Sequence, residues 1–324
     1  MSSPLPSSYP ETPATRDEWI LSRRPQRSAL DPRRPWAFFV EDECSESGEV
    51  VPVATVFLTN CECPWRCLMC DLWKNTLTES VPAGAIPAQI DYALAHLPTA
   101  RQIKLYNSGS FFDPRAIPVE DYLAIACRIT GFERVVVECH PALIGENCFR
   151  FQQLLPGRLE VAMGLETVHP EILERLNKRM TLDQFAAAAT RLRDHDIDLR
   201  VFILVKPPFM REEDALVWAQ RSLDFAFDCG ATAATLIPTR AGNGAMEELA
   251  SLGDFSPPRL ATLEAAVGYG IGLRRGRVFA DLWGLRPGEE CPECFPGRMA
   301  RLRETNLRQA MFDPVHCTHG GGQN

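Results

Sequence analysis

The sequence predicts an α/β fold of six consecutive βα units, set out as an open doubly wound sheet or as a partial barrel, with a C-terminal extension. Three observations carry this. Six short apolar runs, rich in β-branched residues, lie between residues 53 and 238. Segments with apolar residues at three- and four-residue spacing, the period of an amphipathic helix, separate them. The units recur at roughly thirty residues, the length a right-handed βαβ crossover needs.

Taken in order, residues 1–35 are rich in Pro, Ser and Arg without apolar periodicity, and are expected to form a mobile arm. Order is expected from "WAFFVEDE" onward. The strand runs are "VATVFLT" (53–59), "QIKLYN" (102–107), "RVVVEC" (134–139), "RLEVAMG" (158–164), "LRVFILV" (199–205) and "ATLIP" (234–238). Helices are read in "AQIDYALAHL", "VEDYLAIACRIT", "EILERLNKR", "LDQFAAAATRLRDH" and "DALVWAQRSLDFAFDCG". The core domain is expected over 36–245. An extension over 246–324 holds a helical stretch, a C-x2-C pair and an arginine-bearing segment, and ends in a Gly-rich tail expected to be disordered.

Composition narrows the class. The chain is 45% hydrophobic and 23% charged, as in globular proteins. Its longest apolar runs fall short of the ~20 residues a membrane helix needs. The N-terminus lacks a basic start and an apolar h-region, so the cytoplasm is the expected compartment. In that reducing setting twelve cysteines point to metal ligation or buried thiols rather than disulfides. Cys127, Cys139, Cys148 and Cys229, each alone in apolar surroundings, are expected in the core. A net charge of −8 argues against bulk electrostatic binding of duplex nucleic acid. A local basic patch remains open at Arg274, Arg275, Arg277, Arg286, Arg298, Arg301, Arg303 and Arg308, beside the plainer reading of a solvated, ion-paired helix face.

Both arrangements of βα units place chemistry at the C-terminal ends of the strands. The segments there are polar or Gly-rich: the cysteine stretch "NCECPWRCLMCDLWKN", then "NSGSFFD", "ECHP", "GLET", "KPPF" and "TRAGNG". Cys63, Cys67 and Cys70 form C-x3-C-x2-C. A structural zinc site uses paired knuckles with four ligands, and a ferredoxin cubane uses four cysteines. Three thiolates after a strand would leave one iron of a [4Fe-4S] cluster without a protein ligand.

This motif at the end of the first strand of a βα array resembles the radical S-adenosylmethionine (SAM) superfamily. The resemblance implies a partial (β/α)6 TIM-like barrel. It implies a [4Fe-4S] cluster on Cys63, Cys67 and Cys70 whose open iron is chelated by SAM, and reductive cleavage of SAM to a 5′-deoxyadenosyl radical. A reductant such as ferredoxin or flavodoxin is then required. Cys61 lies outside the family spacing and reads as a bystander. The residue before the third cysteine is commonly aromatic in the family and contacts adenine; here it is Met69, whose thioether can cover the same face. "YNSGSFFDP" stands where the family has a Gly-Gly-Glu-like segment for the methionine amino group, so Asn107, Ser108, Gly109 and Ser110 are the matching candidates. "GLETVHPEILERLNKRM" resembles a segment of the elongator-catalytic-subunit-like and tRNA methylthiotransferase branch, which assigns Glu166 to the SAM ribose. Glu138 and His140 point to the same cavity.

"CDLWKN", "YNSGSFFDP", "ECHP", "GLET" and "LNKRM" together resemble the elongator-subunit-like group that includes the archaeosine-forming radical SAM enzyme. A tRNA base is thereby a candidate substrate, although no acetyltransferase-like domain is expected in this chain. Cys291 and Cys294, with Cys317 about twenty residues on and flanked by His316 and His319, have the spacing of a zinc site. A second iron–sulfur cluster or unligated thiols are the rival readings. The functional expectation is a radical SAM enzyme of unknown substrate; the alternative is a non-enzymatic iron–sulfur or zinc protein.

Overall fold

The computed structural model describes residues 9–288 and 290–317. Eight strands form one sheet in strictly sequential order. They are β1 (Ala37–Cys44), β2 (Val50–Phe57), β3 (Gln102–Tyr106), β4 (Arg134–Glu138), β5 (Arg158–Glu166), β6 (Asp198–Val205), β7 (Ala233–Pro238) and β8 (Arg277–Ala280). β1 runs antiparallel to β2, and every later pair is parallel. A doubly wound sheet reverses its strand order at a switch point. Sequential order with crossovers of one hand places all helices on one face, so the sheet curls into an open barrel.

The six expected runs correspond to β2 through β7. The helices are α1 (Pro13–Leu21), α2 (Ala85–Leu94), α3 (Tyr122–Arg128), α4 (Glu146–Leu154), α5 (Pro170–Arg175), α6 (Leu182–Asp194), α7 (Glu212–Asp228), α8 (Ala245–Ser251), α9 (Leu260–Leu273) and α10 (Phe295–Arg308). Local chemistry sets their ends. Thr181 and Gln184 form a capping box at the start of α6, and Glu212, Glu213 and Asp214 occupy the first turn of α7, where the helix dipole favours negative charge. One continuous apolar core lies between the sheet and its outer helices.

The barrel interior opposite the cysteine loop carries charge instead of an apolar layer. Glu160 on β5, fully buried, accepts from Arg200, Arg134 and Arg277. Glu43 on β1 takes Lys104 and Arg200, and Asp198 takes Arg134 and Arg158. These pairs tie β1, β3, β4, β5, β6 and β8 together across the lumen.

The structure corrects several expectations. Described residues 9–35 are tied down: Tyr9, Trp19 and Ile20 pack on Leu68, Ala245, Met246 and Phe255. Arg24, Arg27 and Arg66 converge on Glu62. The segment beyond 245 supplies β8 to the same sheet rather than only packing outside it. Cys139 and Cys148 are buried as expected, but Cys127 is exposed and Cys229 only partly covered. His319 and the Gly-rich end lie outside the described residues. No described helix is long and apolar enough to cross a membrane.

The opening between the edge strands β1 and β8 is bridged by α10, which touches both. Asn306 accepts from Ala280 N–H and donates to Ala280 C=O. Gln309 does the same for Val278. Two amide side chains thus stand in for the missing neighbour of an edge strand.

Candidate active site

An open cavity of about 1070 Å³ occupies the C-terminal mouth of the barrel. Cys63, Cys67 and Cys70 line it, and so do Met69, Ser108, Gly109, Ser110, Glu138, His140, Glu166 and Lys178. Asn107 is fully buried behind that wall.

The cysteine loop follows β2 and is fixed by neighbours from distant sequence. Leu68 N–H donates to Leu176 C=O at 2.9 Å. Asn243 Nδ2 donates to the carbonyls of Leu68 (2.7 Å) and Cys70 (3.0 Å), and Asn177 Nδ2 to that of Arg66 (2.8 Å). Trp65, inside the motif, stacks on His140 with ring centroids 3.8 Å apart. His140 Nε2 faces the carbonyl of Lys178 at 3.1 Å and Nδ1 accepts from Ala142 N–H. Burial, then the nearby Lys178 charge, holds the imidazole down to about 3, so it is neutral at physiological pH and serves as a platform. Cys61 is buried, with its thiol toward the carbonyls of Glu62 and Thr78, and is not on the cavity wall.

After β3, the turn at 107–110 is organised from β4. Glu138 Oε1 accepts from Asn107 N–H (2.7 Å) and Ser108 N–H (2.8 Å). Burial pushes this carboxyl up to about 7, and the donated backbone hydrogen bonds pull the other way. Ser110 Oγ accepts from His140 N–H. Ser108 sits at φ +54° with its hydroxyl buried and without a partner. A side chain at Gly109 would stand 3.2 Å from Cys63 Cβ, tighter than ordinary contact, so glycine here lets the two loops approach closely.

Glu166 ends β5 at φ +66°, after a register shift that begins at Gly164. Its Oε1 pairs with Lys178 Nζ at 2.6 Å, both residues buried. A side chain at Gly164 would collide with both ends of this pair. Lys178 is the functional candidate that sequence reasoning passed over. Its signal was present in "LNKRM", but spacing alone does not show that it returns to Glu166. "KPPF" turns away: Lys206 binds Ser256 and Glu212.

The chemistry of the donors fits an iron–sulfur cluster and SAM. Burial pushes the thiols of Cys63, Cys67 and Cys70 up to about 12, so a cation is required to hold all three as thiolates. Ser108 and Glu166 line the same cavity as these thiols.

Across the mouth, Trp36, Phe39, Phe57 and Trp283 form an aromatic wall. Trp36 and Phe57 lie 4.7 Å apart, and Phe57 and Trp283 5.5 Å. Trp283 is 52% exposed. Arg240 and, from α10, Arg303 and Asn306 line the same cavity. The other arginines of the C-terminal segment are largely neutralised: Arg298 and Arg301 pair with Glu264, Arg308 with Glu304 and Arg275 with Asp228. Most of the basic patch therefore resolves into ion pairs, with Arg303 on the cavity wall.

Apart from this mouth, Cys291, Cys294 and Cys317 bring their sulfurs within 4.8 Å of one another.

An open α/β barrel with a three-thiol loop at the C-terminal end of its first parallel strand defines a class of cofactor-binding barrel. The profile of the Radical SAM superfamily matches residues 59–217; this segment is a radical SAM domain, and the protein is an enzyme. The family uses SAM and a [4Fe-4S] cluster. The chain is 25% identical over 251 residues to an uncharacterised protein of Methanocaldococcus jannaschii, covering 72% of this chain and 69% of that one. It is 26% identical over 228 residues to archaeosine synthase subunit beta of Methanosarcina acetivorans, covering 66% of this chain but only 65% of that protein. Its fold matches the solved Elp3 of Methanocaldococcus infernus with a TM-score of 0.50, at 14% identity over 69% of this chain and 59% of that one.

Proposed function

We propose that the protein cleaves SAM reductively and directs the resulting radical at a planar heterocycle, a base of tRNA. The observation that carries the first part is the convergence of three thiols, the Ser108–Ser110 turn and the Glu166–Lys178 pair on one cavity. Cys63, Cys67 and Cys70 would hold a [4Fe-4S] cluster, which with SAM supplies a 5′-deoxyadenosyl radical. Ser108, Gly109 and Ser110 line the place for the methionine end, with Asn107 contributing through its backbone. Glu166 is set for the ribose hydroxyls, held in place by Lys178, and Met69 for the adenine. Glu138 fixes the turn through Oε1 and also lines the cavity. A ferredoxin or flavodoxin in the cytoplasm would deliver the electron.

The aromatic wall supports the substrate class. Four rings beside Arg240 and Arg303 offer stacking for a base and charge for its phosphates. The name of the M. acetivorans relative, archaeosine being a tRNA nucleoside, agrees with this reading.

The test is anaerobic reconstitution with SAM and dithionite. Formation of 5′-deoxyadenosine, abolished in Cys63→Ala, is expected; no cleavage by fully iron-loaded protein would refute the reading. Trp283→Ala should leave substrate-free SAM cleavage unchanged and weaken tRNA binding about 5- to 150-fold, the equivalent of one lost base stack of about 1–3 kcal/mol. Unchanged tRNA affinity would remove the stacking role.

A further inference from the structure

We infer that Cys291, Cys294 and Cys317 bind a single zinc ion, which clasps the C-terminal segment to α10 and so keeps that helix seated between β1 and β8. This goes beyond SAM cleavage and does not rest on it.

Geometry identifies the metal. The three sulfurs lie within 4.8 Å of one another, and no other set of three or more His, Cys, Asp or Glu ligand atoms among the described residues is drawn together so closely. Tetrahedral zinc with bonds of about 2.3 Å places its thiolates about 3.8 Å apart. In a [4Fe-4S] cubane each thiolate takes a different corner iron and points away from the others, so its sulfurs stand wider than this. A disulfide would use two of the three cysteines and leave the third unexplained. The triad supplies three zinc donors, and the fourth comes from outside it.

The chain path shows what the ion holds. Cys291 and Cys294 stand at the start of α10, with Cys294 in the N-cap position. At the far end Gln309, at φ +50°, turns the chain back. The returning segment runs beside the helix: Arg301 Nε donates to Phe312 C=O at 2.9 Å, and Val315 lies against Gly297, where a Cβ would sit 3.6 Å away. Met311, Phe312 and Val315 remain 41%, 39% and 37% exposed. So little apolar burial does not hold a terminal segment in place, and a bond from Cys317 to the helix start does. The same helix carries Asn306, which with the adjoining Gln309 pairs with the backbone of β8, and Arg303, which reaches the cavity.

The full-length Cys63→Ala/Cys67→Ala/Cys70→Ala variant separates the two metal sites, because metal it retains belongs to the second. Elemental analysis is expected to find one zinc per chain and no iron, with the zinc lost when Cys317→Ala is added. About four irons per chain, or neither metal, would overturn the assignment. The wild-type protein gives a second reading that does not depend on how these variants fold. Cobalt(II) exchanged into the site should show intense thiolate-to-metal absorption in the near ultraviolet, and its absence would count against thiolate ligation. Stripping zinc with a chelator should speed amide hydrogen exchange at Val278 and Ala280, whose N–H groups Gln309 and Asn306 accept, by at least tenfold, while Ile103 and Val135 on the central strands stay protected. Unchanged exchange at Val278 and Ala280 would refute the clasp. SAM cleavage assayed on the same zinc-free sample judges the other reading separately.

Discussion

Replacing Glu160 with Gln tests whether the charged lumen is held by one carboxylate. Glu160 Oε1 accepts from Arg200 Nε at 2.5 Å, and Oε2 from Arg134 at 3.1 Å and Arg277 at 3.0 Å. The substitution keeps the shape, removes the charge and points an amide donor at guanidinium donors. Two of the arginines keep other partners: Arg134 has Asp198 and Glu46, and Arg200 has Glu43. Arg277 has no other carboxylate among the described residues, only the Cys44 carbonyl, and its Nε is already buried without a partner. Stranding a buried charge costs about 3–5 kcal/mol, so Glu160→Gln should lower unfolding free energy by about that amount in urea titrations. Adding Arg277→Met removes the stranded charge, and the penalty of Glu160→Gln should then shrink by at least about 1 kcal/mol. An equal penalty in both backgrounds would refute the assignment of the loss to Arg277.

Further outcomes follow from the site. Cys63→Ala, Cys67→Ala and Cys70→Ala should each abolish cluster iron, whereas Cys61→Ala should keep it; iron analysis after anaerobic reconstitution decides. Glu166→Gln should retain iron but weaken SAM binding about tenfold, the loss of one charge-assisted hydrogen bond of about 1.5 kcal/mol, read by calorimetry. Glu138 has its carboxyl raised by burial from 4.5 to about 7. The folded state therefore holds this proton more tightly than the unfolded chain, and the stability it adds is complete below about pH 4.5 and lost as pH rises through 7. Glu138→Gln, which still accepts from Asn107 and Ser108, should gain on the wild type across that window in cluster-free protein. The ceiling is about 3 kcal/mol, reduced to about 1–2 kcal/mol because Glu138 is half-buried and lines the open cavity. A constant difference between pH 4.5 and 8 would exclude Glu138 as the titrating group.

Periodicity made β2 through β7 legible, because each is an apolar run buried on both faces. β1 escaped as a strand because Glu41, Asp42 and Glu43 break its apolar pattern, and Glu43 is buried only by pairing with Lys104 and Arg200. β8 has four residues, too few for a pattern. The order of the arm is not legible from its lack of apolar periodicity, because it rests on contacts distant in sequence, such as Glu62 pairing with Arg24 and Arg27. Within the site, the cysteine spacing was legible because it is local. The Glu166–Lys178 pair, the stacking of Trp65 on His140 and the arrival of Arg303 on the cavity wall depend on how the barrel curls, which no local pattern encodes.

The loop with Cys63, Cys67 and Cys70 lies in the first quarter of the chain, yet its supports come from Arg24 and Arg27 before it and from Leu176, Asn177 and Asn243 far after it. During synthesis the thiols leave the ribosome long before Asn243 can grip the carbonyls of Leu68 and Cys70. The supported conformation of this loop therefore forms only after the chain through β7 and Asn243 is in place. Until then the three cysteines lack the contacts that fix their loop.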